Sequence, residues 1–431
     1  MKRPSFSLSL VRRALITLVA FAIIAPAMFT DAPLVAQEEV AVEEATEEAD
    51  AKPAADEDLF KVPEGDAKAL QAFMKKLAST PPEGETEEEQ IEFSTKALTS
   101  LVTAADRLLA ANPNKTQTKQ GHGYRIQALQ ALVAMGQDGA REKFDKAMQA
   151  ARESKIEDVV GMGWQTYIGD VASRWDELDA KDKQAFRDAI VAMIKGDGAN
   201  PMDVSIVQVT AMQLDGTDDE FVVKLLEEAV PLLKASNAAG PDATDKAILE
   251  NRRELESALA EANLEGMLRR LKLPGNQIEI TGELLSGGKV DWESYRGKVV
   301  LVDFWATWCG PCRAEVPNIL AMYEAYHDKG FDVLGVSLDE TPEAAKKYKA
   351  EMKLPWNSLF PTSEDERGWS NPLAKHYGIG GIPTAILVDK DGKVVHMNAR
   401  GENLPAELQR LLGDPVEKKP AVEKSETEKA S

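Results

Sequence analysis

The sequence predicts two domains of different class: an all-α helical region over residues 61–272, then an α/β domain over residues 273–413 built on a mixed central sheet. Three observations carry this. Between about Asp66 and Arg270 apolar residues recur three and four apart and β-branched runs are scarce, which is the mark of amphipathic helices. After Leu273-Pro274-Gly275 the pattern changes to short β-branched and aromatic runs alternating with helical stretches, as in a sheet covered on both faces. The length, 431 residues, exceeds one ordinary core at roughly 100–200 residues per domain.

The remaining segments read as a leader, a linker and a tail. Lys2, Arg3, Arg12 and Arg13 precede an apolar run from Ala14 to Phe29, the pattern of an export signal. The run is short for a spanning helix, which needs about 20 residues. Leu34-Val35-Ala36 offers a small-residue cleavage site, so residues 1–36 read as a signal peptide removed near Ala36, with an uncleaved N-terminal anchor as the alternative. In both cases the positive flank leaves the rest periplasmic or otherwise exported, and membrane contact arises only if the segment stays uncleaved. Residues 37–60 read as an acidic disordered linker: from Glu38 to Asp58 ten carboxylates stand against Lys52 alone, a composition that repels itself and buries little. Residues 414–431 read as a disordered charged tail. The net charge of −21 argues against nucleic acid as a partner, because phosphate binding needs a basic face.

In the helical region, Thr86–Ala111 places Ile91, Phe93, Ala97, Leu98, Leu101, Ala104, Leu108 and Leu109 at helical spacing. Further helices are expected at Gly123–Met135, Ala140–Ala151, Val159–Leu178, Asp182–Ile194, Glu220–Leu233 and Lys246–Leu271. Breaks fall at Pro81-Pro82, Asn112-Pro113-Asn114, Gly196-Asp197-Gly198 and Gly240-Pro241. Antiparallel pairs or a short solenoid would result, although no fixed 34-residue repeat of the kind such solenoids carry is visible. No titratable cluster here resembles a site. His122, between Gly121 and Gly123, reads as a loop histidine, and Trp164 and Trp175 as core residues.

In the second domain strands are expected at Gln277–Ile280, Val299–Trp305, Phe331–Ser337, Pro383–Val388 and Lys393–Met397, the last two joined by a hairpin turn at Asp389-Lys390-Asp391-Gly392. Helices are expected at Pro311–His327, Pro342–Met352, Trp369–Tyr377 and Leu404–Leu412. The chain has two cysteines, Cys309 and Cys312, too close together to staple a fold, since a disulfide gains most by closing a long loop. The pair is therefore chemical. Cys309 follows a buried strand and opens a helix, where unpaired N–H groups and the helix dipole favour negative charge and lower a thiol pKa from about 8.5 into the range 3.5–7.5. It is the expected attacking thiolate, with Cys312, one turn inside, as the shielded resolving thiol. Gly310 permits the tight turn, and Pro311 fits the first helical turn because its missing N–H leaves no bond unmade. Asp303, expected to be buried six residues before Cys309, is the candidate proton acceptor for Cys312, since burial raises a carboxyl towards the range of a general base. Glu315, three residues past Cys312, is a second candidate.

The run Trp308-Cys309-Gly310-Pro311-Cys312 after a strand resembles thioredoxin. Val302-Asp303-Phe304-Trp305-Ala306 is similar to the thioredoxin strand, Pro317 to the proline inside its helix, and Gly381-Ile382-Pro383-Thr384 to its cis-proline segment. Pro383 lies 71 residues after Cys312, more than in plain thioredoxin. With Glu315 and the hairpin-like Ile278–Tyr295 stretch, this extra segment resembles the exported TlpA/ResA subgroup. The likeness covers about 140 residues and says nothing about Asp66–Arg270. It implies a thioredoxin-like fold and thiol–disulfide oxidoreductase activity, with Cys309 and Cys312 as a redox disulfide and no cofactor or metal. It implies a cis bond before Pro383 against the cysteines, leaving the Ile382 backbone free for a substrate strand. Trp308, Gly310, Pro311, Ile382 and Pro383 become the expected substrate contacts. Protein thiols and disulfides are the implied substrates, apocytochrome c thiols or misoxidised proteins among them, with a transmembrane electron donor. The Gly-Pro dipeptide puts no cationic histidine beside the thiolate, which favours a reductase: thioredoxin lies near −270 mV against about −120 mV for DsbA.

Other readings fare worse. A peroxiredoxin needs Pro and Thr seven and three residues before its cysteine, where this chain has Val302 and Ala306. A zinc site needs two more ligands, and His327, His376 and His396 show no ligand spacing. The rival of a different class is a partner-binding helical protein whose dithiol is vestigial or structural; the intact active-site residues favour the enzyme.

Overall fold

The computed structural model describes residues 59–196, 199–238 and 246–416. The expected leader, nearly all of the acidic linker, the breaks at Asp197-Gly198 and Gly240-Pro241, and most of the tail lie outside the described residues. Among the described residues no helix is long and apolar enough to cross a membrane. The chain divides into two compact units, Met1–Trp175 and Asp176–Ser431.

The first unit is helical: α1 (Ala67–Ser79), α2 (Glu87–Ala110), α3 (Lys115–Ala134), α4 (Ala140–Arg152) and α5 (Glu157–Ser173). The starts of α1, α2 and α3 are set by side chains that satisfy free N–H groups. Asp66 accepts from Lys68 and Ala69, and Thr86 with Glu89 and Asn114 with Gln117 form reciprocal capping boxes. Met74, Leu101, Leu108, Leu129, Phe144 and Met148 fill the core. His122 is not a loop residue but sits inside α3, 8% exposed. The Asn114 box starts the helix ahead of the two glycines, and Gly121 packs so close to α2 that a Cβ would meet the Leu109 side chain at 2.8 Å. Tertiary packing here outweighs the cost of glycine in a helix, about 1 kcal/mol.

The second unit opens with α6 (Ala180–Lys195), α7 (Pro201–Leu214), α8 (Asp219–Ala238), α9 (Lys246–Ala262) and α10 (Leu264–Leu271). The helix expected over Lys246–Leu271 is broken at Asn263, whose φ of 45° ends α9 and whose side chain accepts the Gly266 amide of α10 at 3.2 Å. The sheet follows: β1 (Val299–Trp305), α11 (Gly310–Tyr326, with Pro317 inside it), β2 (Phe331–Ser337), α12 (Pro342–Glu351), β3 (Asn357–Leu359), α13 (Pro372–His376), β4 (Thr384–Val388), β5 (Val394–His396) and α14 (Asn403–Leu412). Strand order is β3-β2-β1-β4-β5, with β1, β2 and β3 parallel and β1–β4 and β4–β5 antiparallel, so the sheet is mixed, as read from sequence. β1 is central and wholly buried. Its alternate residues feed two cores, Val300, Val302 and Phe304 on one face and Val299 and Leu301 on the other. Asp303 shares the second parity and lies between Gly335 of β2 and Ala385 of β4.

Gln277–Ile280 does not form the expected strand; only an isolated bridge, Gln277 to Lys393, is made. Side chains take the backbone groups a ladder would need. Trp292 Nε1 donates to the Ile278 carbonyl at 3.0 Å, and the Tyr377 hydroxyl both accepts from the Glu279 amide and donates to its carbonyl. The expected Trp369–Tyr377 helix is a 3-10 turn at Gly368–Ser370 followed by α13, with Asn371 capping the latter.

α10 is fastened to α13 through backbone oxygens. Asn263 Nδ2 donates to the Lys375 carbonyl at 2.6 Å and Arg269 Nε to the His376 carbonyl at 2.8 Å. Gly378, at φ 56°, has the backbone of Gly266 and Met267 where a Cβ would go. The second unit therefore continues across the Pro274-Gly275 junction.

Candidate active site

The turn after β1 delivers the two cysteines to the first turn of α11. They form a disulfide with Cα atoms 5.3 Å apart. Cys309 is the N-cap residue, and the Cys312 amide donates to its sulfur at 3.1 Å. Gly310 and Pro311 open the helix and are exposed. Cys309 is 5% and Cys312 4% exposed, so burial does not separate their roles in the oxidised form. The difference lies in electrostatics: the Cys309 sulfur takes up a helix N–H and would hold a thiolate there.

The turn is held from beneath by Asp339. Its Oδ1 accepts both the Thr307 amide at 2.9 Å and the Thr307 hydroxyl at 2.7 Å, and its Oδ2 accepts the Ser337 hydroxyl at 3.0 Å. The Trp305 carbonyl accepts from Leu338 at 2.8 Å. Trp308 points out of the turn, 56% exposed, with Trp369 beside it.

Asp303 is buried on β1. Among the described residues no hydrogen bond or ion pair holds its carboxylate. Burial pushes it up to about 7, the Glu315 charge pushes the same way, and Arg400 opposes both. Glu315 is half-buried on α11, its Oε1 accepting from Asn318 Nδ2 at 2.6 Å and from the Gly401 amide at 2.9 Å. The turn carrying Arg400 is stitched in on the other side too, because the Ala399 amide donates to the carbonyl of Ala385, the β4 partner of Asp303. Two carboxylates and one guanidinium thus interact around the strand that leads to the disulfide.

The Ile382–Pro383 bond is cis. Ile382 is half-buried and packs against the apolar cluster that contains both cysteines. Thr384 pairs with Phe304, so one further antiparallel step sets Pro383 opposite Trp305. All the expected site residues therefore belong to the one unit, on β1, α11 and the approach to β4.

Three neighbours were missed in the sequence. Asp339 follows the end of β2, the carboxyl edge of a parallel pair where sites of open sheets gather, and that position is a signal that could have found it. Trp369 lies in the extra segment between the cysteines and Pro383. Arg400 carries no local signal, since its relation to Asp303 depends on contacts far apart in sequence.

Chemically, the arrangement offers a helix-start sulfur, a second sulfur within bonding reach, and a buried carboxyl that titrates near neutrality. That is the equipment for exchanging one disulfide for another.

A family model described as Redoxin matches residues 274–412. The "Thiol-disulfide oxidoreductase ResA" of Bacillus thuringiensis subsp. konkukian is 35% identical over 128 residues, 30% of this chain and 69% of that protein. The "Thiol:disulfide interchange protein HelX" of Rhodobacter capsulatus is 33% identical over 99 residues, 23% of this chain and 51% of that protein. Among solved structures, the thioredoxin domain of a thiol-disulfide oxidoreductase from Bacteroides vulgatus is 38% identical, covering 32% of this chain and 97% of that one with a TM-score of 0.30.

Proposed function

The chain belongs, through its C-terminal region, to the ResA-type thiol-disulfide oxidoreductases, and from that premise we propose that it is an exported enzyme reducing protein disulfides by dithiol exchange at Cys309 and Cys312. The observation that supports the reading is a helix-start cysteine pair following a strand that holds a buried carboxyl, Asp303, raised to about 7.

In the reduced enzyme the Cys309 thiolate attacks a substrate disulfide. The substrate S–S bond breaks, one sulfur leaves with the electron pair and is protonated from solvent, and the other remains joined to Cys309. Asp303 takes the proton of Cys312, whose thiolate then attacks the Cys309 sulfur. The bond between Cys309 and the substrate breaks, and the second substrate sulfur leaves with the electron pair and is protonated from solvent. Asp303 returns its proton to solvent, and the enzyme is left with the Cys309–Cys312 disulfide. Two electrons have passed to the substrate, and a dithiol donor must return them; the family resemblance implies a transmembrane one. Gly310-Pro311 supports the reducing direction, because no histidine cation stabilises the thiolate and pulls the couple towards oxidation.

Export rests on the basic and apolar leader of residues 1–36. Residues 273–413 are taken as the catalytic domain and 61–272 as an appended helical arm. Apocytochrome c thiols and misoxidised proteins are the substrate classes the resemblance implies.

The test uses the full chain with dithiothreitol as donor and insulin as substrate. Reduction is expected, with Cys309→Ser inactive and Cys312→Ser accumulating a mixed disulfide on Cys309. Insulin reduction by Cys309→Ser at the parent rate would overturn the reading.

A further inference from the structure

We propose that Trp369 joins Trp308 in one recognition surface that selects substrates with an aromatic or large aliphatic residue beside the reacting cysteine, an inference that rests on the dithiol-exchange reading above. The indoles are 46% and 56% exposed, with ring centroids 6.3 Å apart and planes at 54°. Tryptophan carries a large apolar area that folded proteins mostly cover, so two half-bare indoles in contact form a patch suited to a partner.

The chemistry of the neighbouring sulfur dictates which partner arrives. A mixed disulfide on Cys309 brings the substrate cysteine's Cα to about 5.5–6 Å from that of Cys309, and the flanking substrate residues lie about 3.8 Å further on. Trp308 is the residue next to Cys309. A side chain flanking the substrate cysteine is therefore delivered to the indole pair by the reaction itself. The stacking faces reward aromatic and aliphatic groups and offer a hydroxyl side chain nothing in return.

The pair is also held in place before any substrate comes. Thr307, beside Trp308, donates twice to Asp339; Ser337 bridges from Asp339; Asn371 Nδ2 donates to the Ser337 carbonyl at 3.5 Å, and the Asn371 amide to the Gly368 carbonyl at 3.1 Å. One chain of hydrogen bonds, running through the buried Asp339 and Asn371, thus joins the turns that carry the two tryptophans. Gly368 fixes the second turn: it sits at φ 58° with the Glu340 carboxylate where a Cβ would be. Surface that is already ordered costs less entropy to bind.

Three model peptides, each a symmetric disulfide differing only in the residue before its cysteine, Phe, Ser or Arg, are reduced by the full chain beside 2-hydroxyethyl disulfide as reference. The Phe peptide is expected to exceed the Ser peptide in kcat/KM by about two- to ten-fold, the worth of one aromatic contact, with the difference carried by KM. Trp369→Ala should remove most of this preference, and Trp369→Phe should keep it. Equal rates on the Phe and Ser peptides, or a preference that survives Trp369→Ala, would overturn the inference while the exchange reaction stands. A preference for the Arg peptide would assign selection to nearby carboxylates such as Glu340 and overturn it likewise. Failure to reduce even the reference disulfide would instead remove the functional reading beneath it.

Discussion

The Gly401 amide donates to Oε1 of Glu315 at 2.9 Å, tying the turn that carries Arg400 to the helix that starts at the redox disulfide. Glu315 and Arg400 act on Asp303 with opposite sign: the carboxylate raises it and the guanidinium lowers it. With Asp303 as the proposed acceptor of the Cys312 proton, the resolving step requires it ionised, and its rate should rise with pH through the Asp303 titration. Glu315→Gln should move that midpoint to lower pH and Arg400→Gln to higher pH. Stopped-flow resolution of a preformed mixed disulfide between pH 5 and 9 measures both, and shifts of the same sign would contradict this arrangement.

Asp303 should also tax the stability of the oxidised protein. Its folded pKa, about 7, lies above the ordinary 3.8, so the folded state holds the proton more tightly than the unfolded chain. Stability from this group is then greatest below pH 4, falls as pH rises towards 7 and is level above. Asp303→Asn should accordingly stabilise the oxidised form at pH 8 by on the order of 4 kcal/mol at most, with the gain vanishing near pH 4. The same variant should slow resolution roughly a hundred-fold, the low end of what a positioned base contributes. Urea midpoints at the two pH values give the first quantity. A gain that is equal at both would exclude titration as its cause.

Removing Asp339 strips the active-site turn of its acceptor. Asp339→Ala removes the acceptor of the Thr307 amide and hydroxyl and of the Ser337 hydroxyl proton, at a cost of about 2–3 kcal/mol, whereas Thr307→Val removes one hydroxyl donor at about 1 kcal/mol. Chemical unfolding of the oxidised variants compares them. If Asp339→Ala were as stable as the parent, the carboxylate would not hold the turn.

The cysteines should differ in reactivity although they are equally covered. Near pH 7 the reduced protein should be alkylated by iodoacetamide faster at Cys309, whose sulfur receives the Cys312 amide. Peptide mass mapping locates the adduct, and faster labelling of Cys312 would reverse the assigned roles.

The centre of the site was legible because it is local. A strand apolar but for Asp303, a turn, two cysteines and a helix occupy one continuous stretch, and the chemistry of each position constrains its residue. What escaped was set elsewhere in the chain. Gln277–Ile280 has the composition of a strand, but Trp292 and Tyr377 occupy its backbone groups. α7 passed unseen because it is buried on more than one face, at Val204, Val207 and Ala211 and also at Ile206 and Thr210, so no polar stripe marks its period. β3 is three residues long, too short to show a pattern. Arg400 and Trp369 owe their places to partners on distant segments.

The fastening of α10 to α13 is indifferent to most side chains. Asn263 and Arg269 address the carbonyl oxygens of residues 375 and 376, groups that every amino acid supplies, and the close approach asks for a missing side chain at Gly378. The joint therefore reads main chain rather than sequence. Substitutions at residues 375 and 376 that keep the backbone path should leave the joint closed, whereas any side chain placed at position 378 should pry it open.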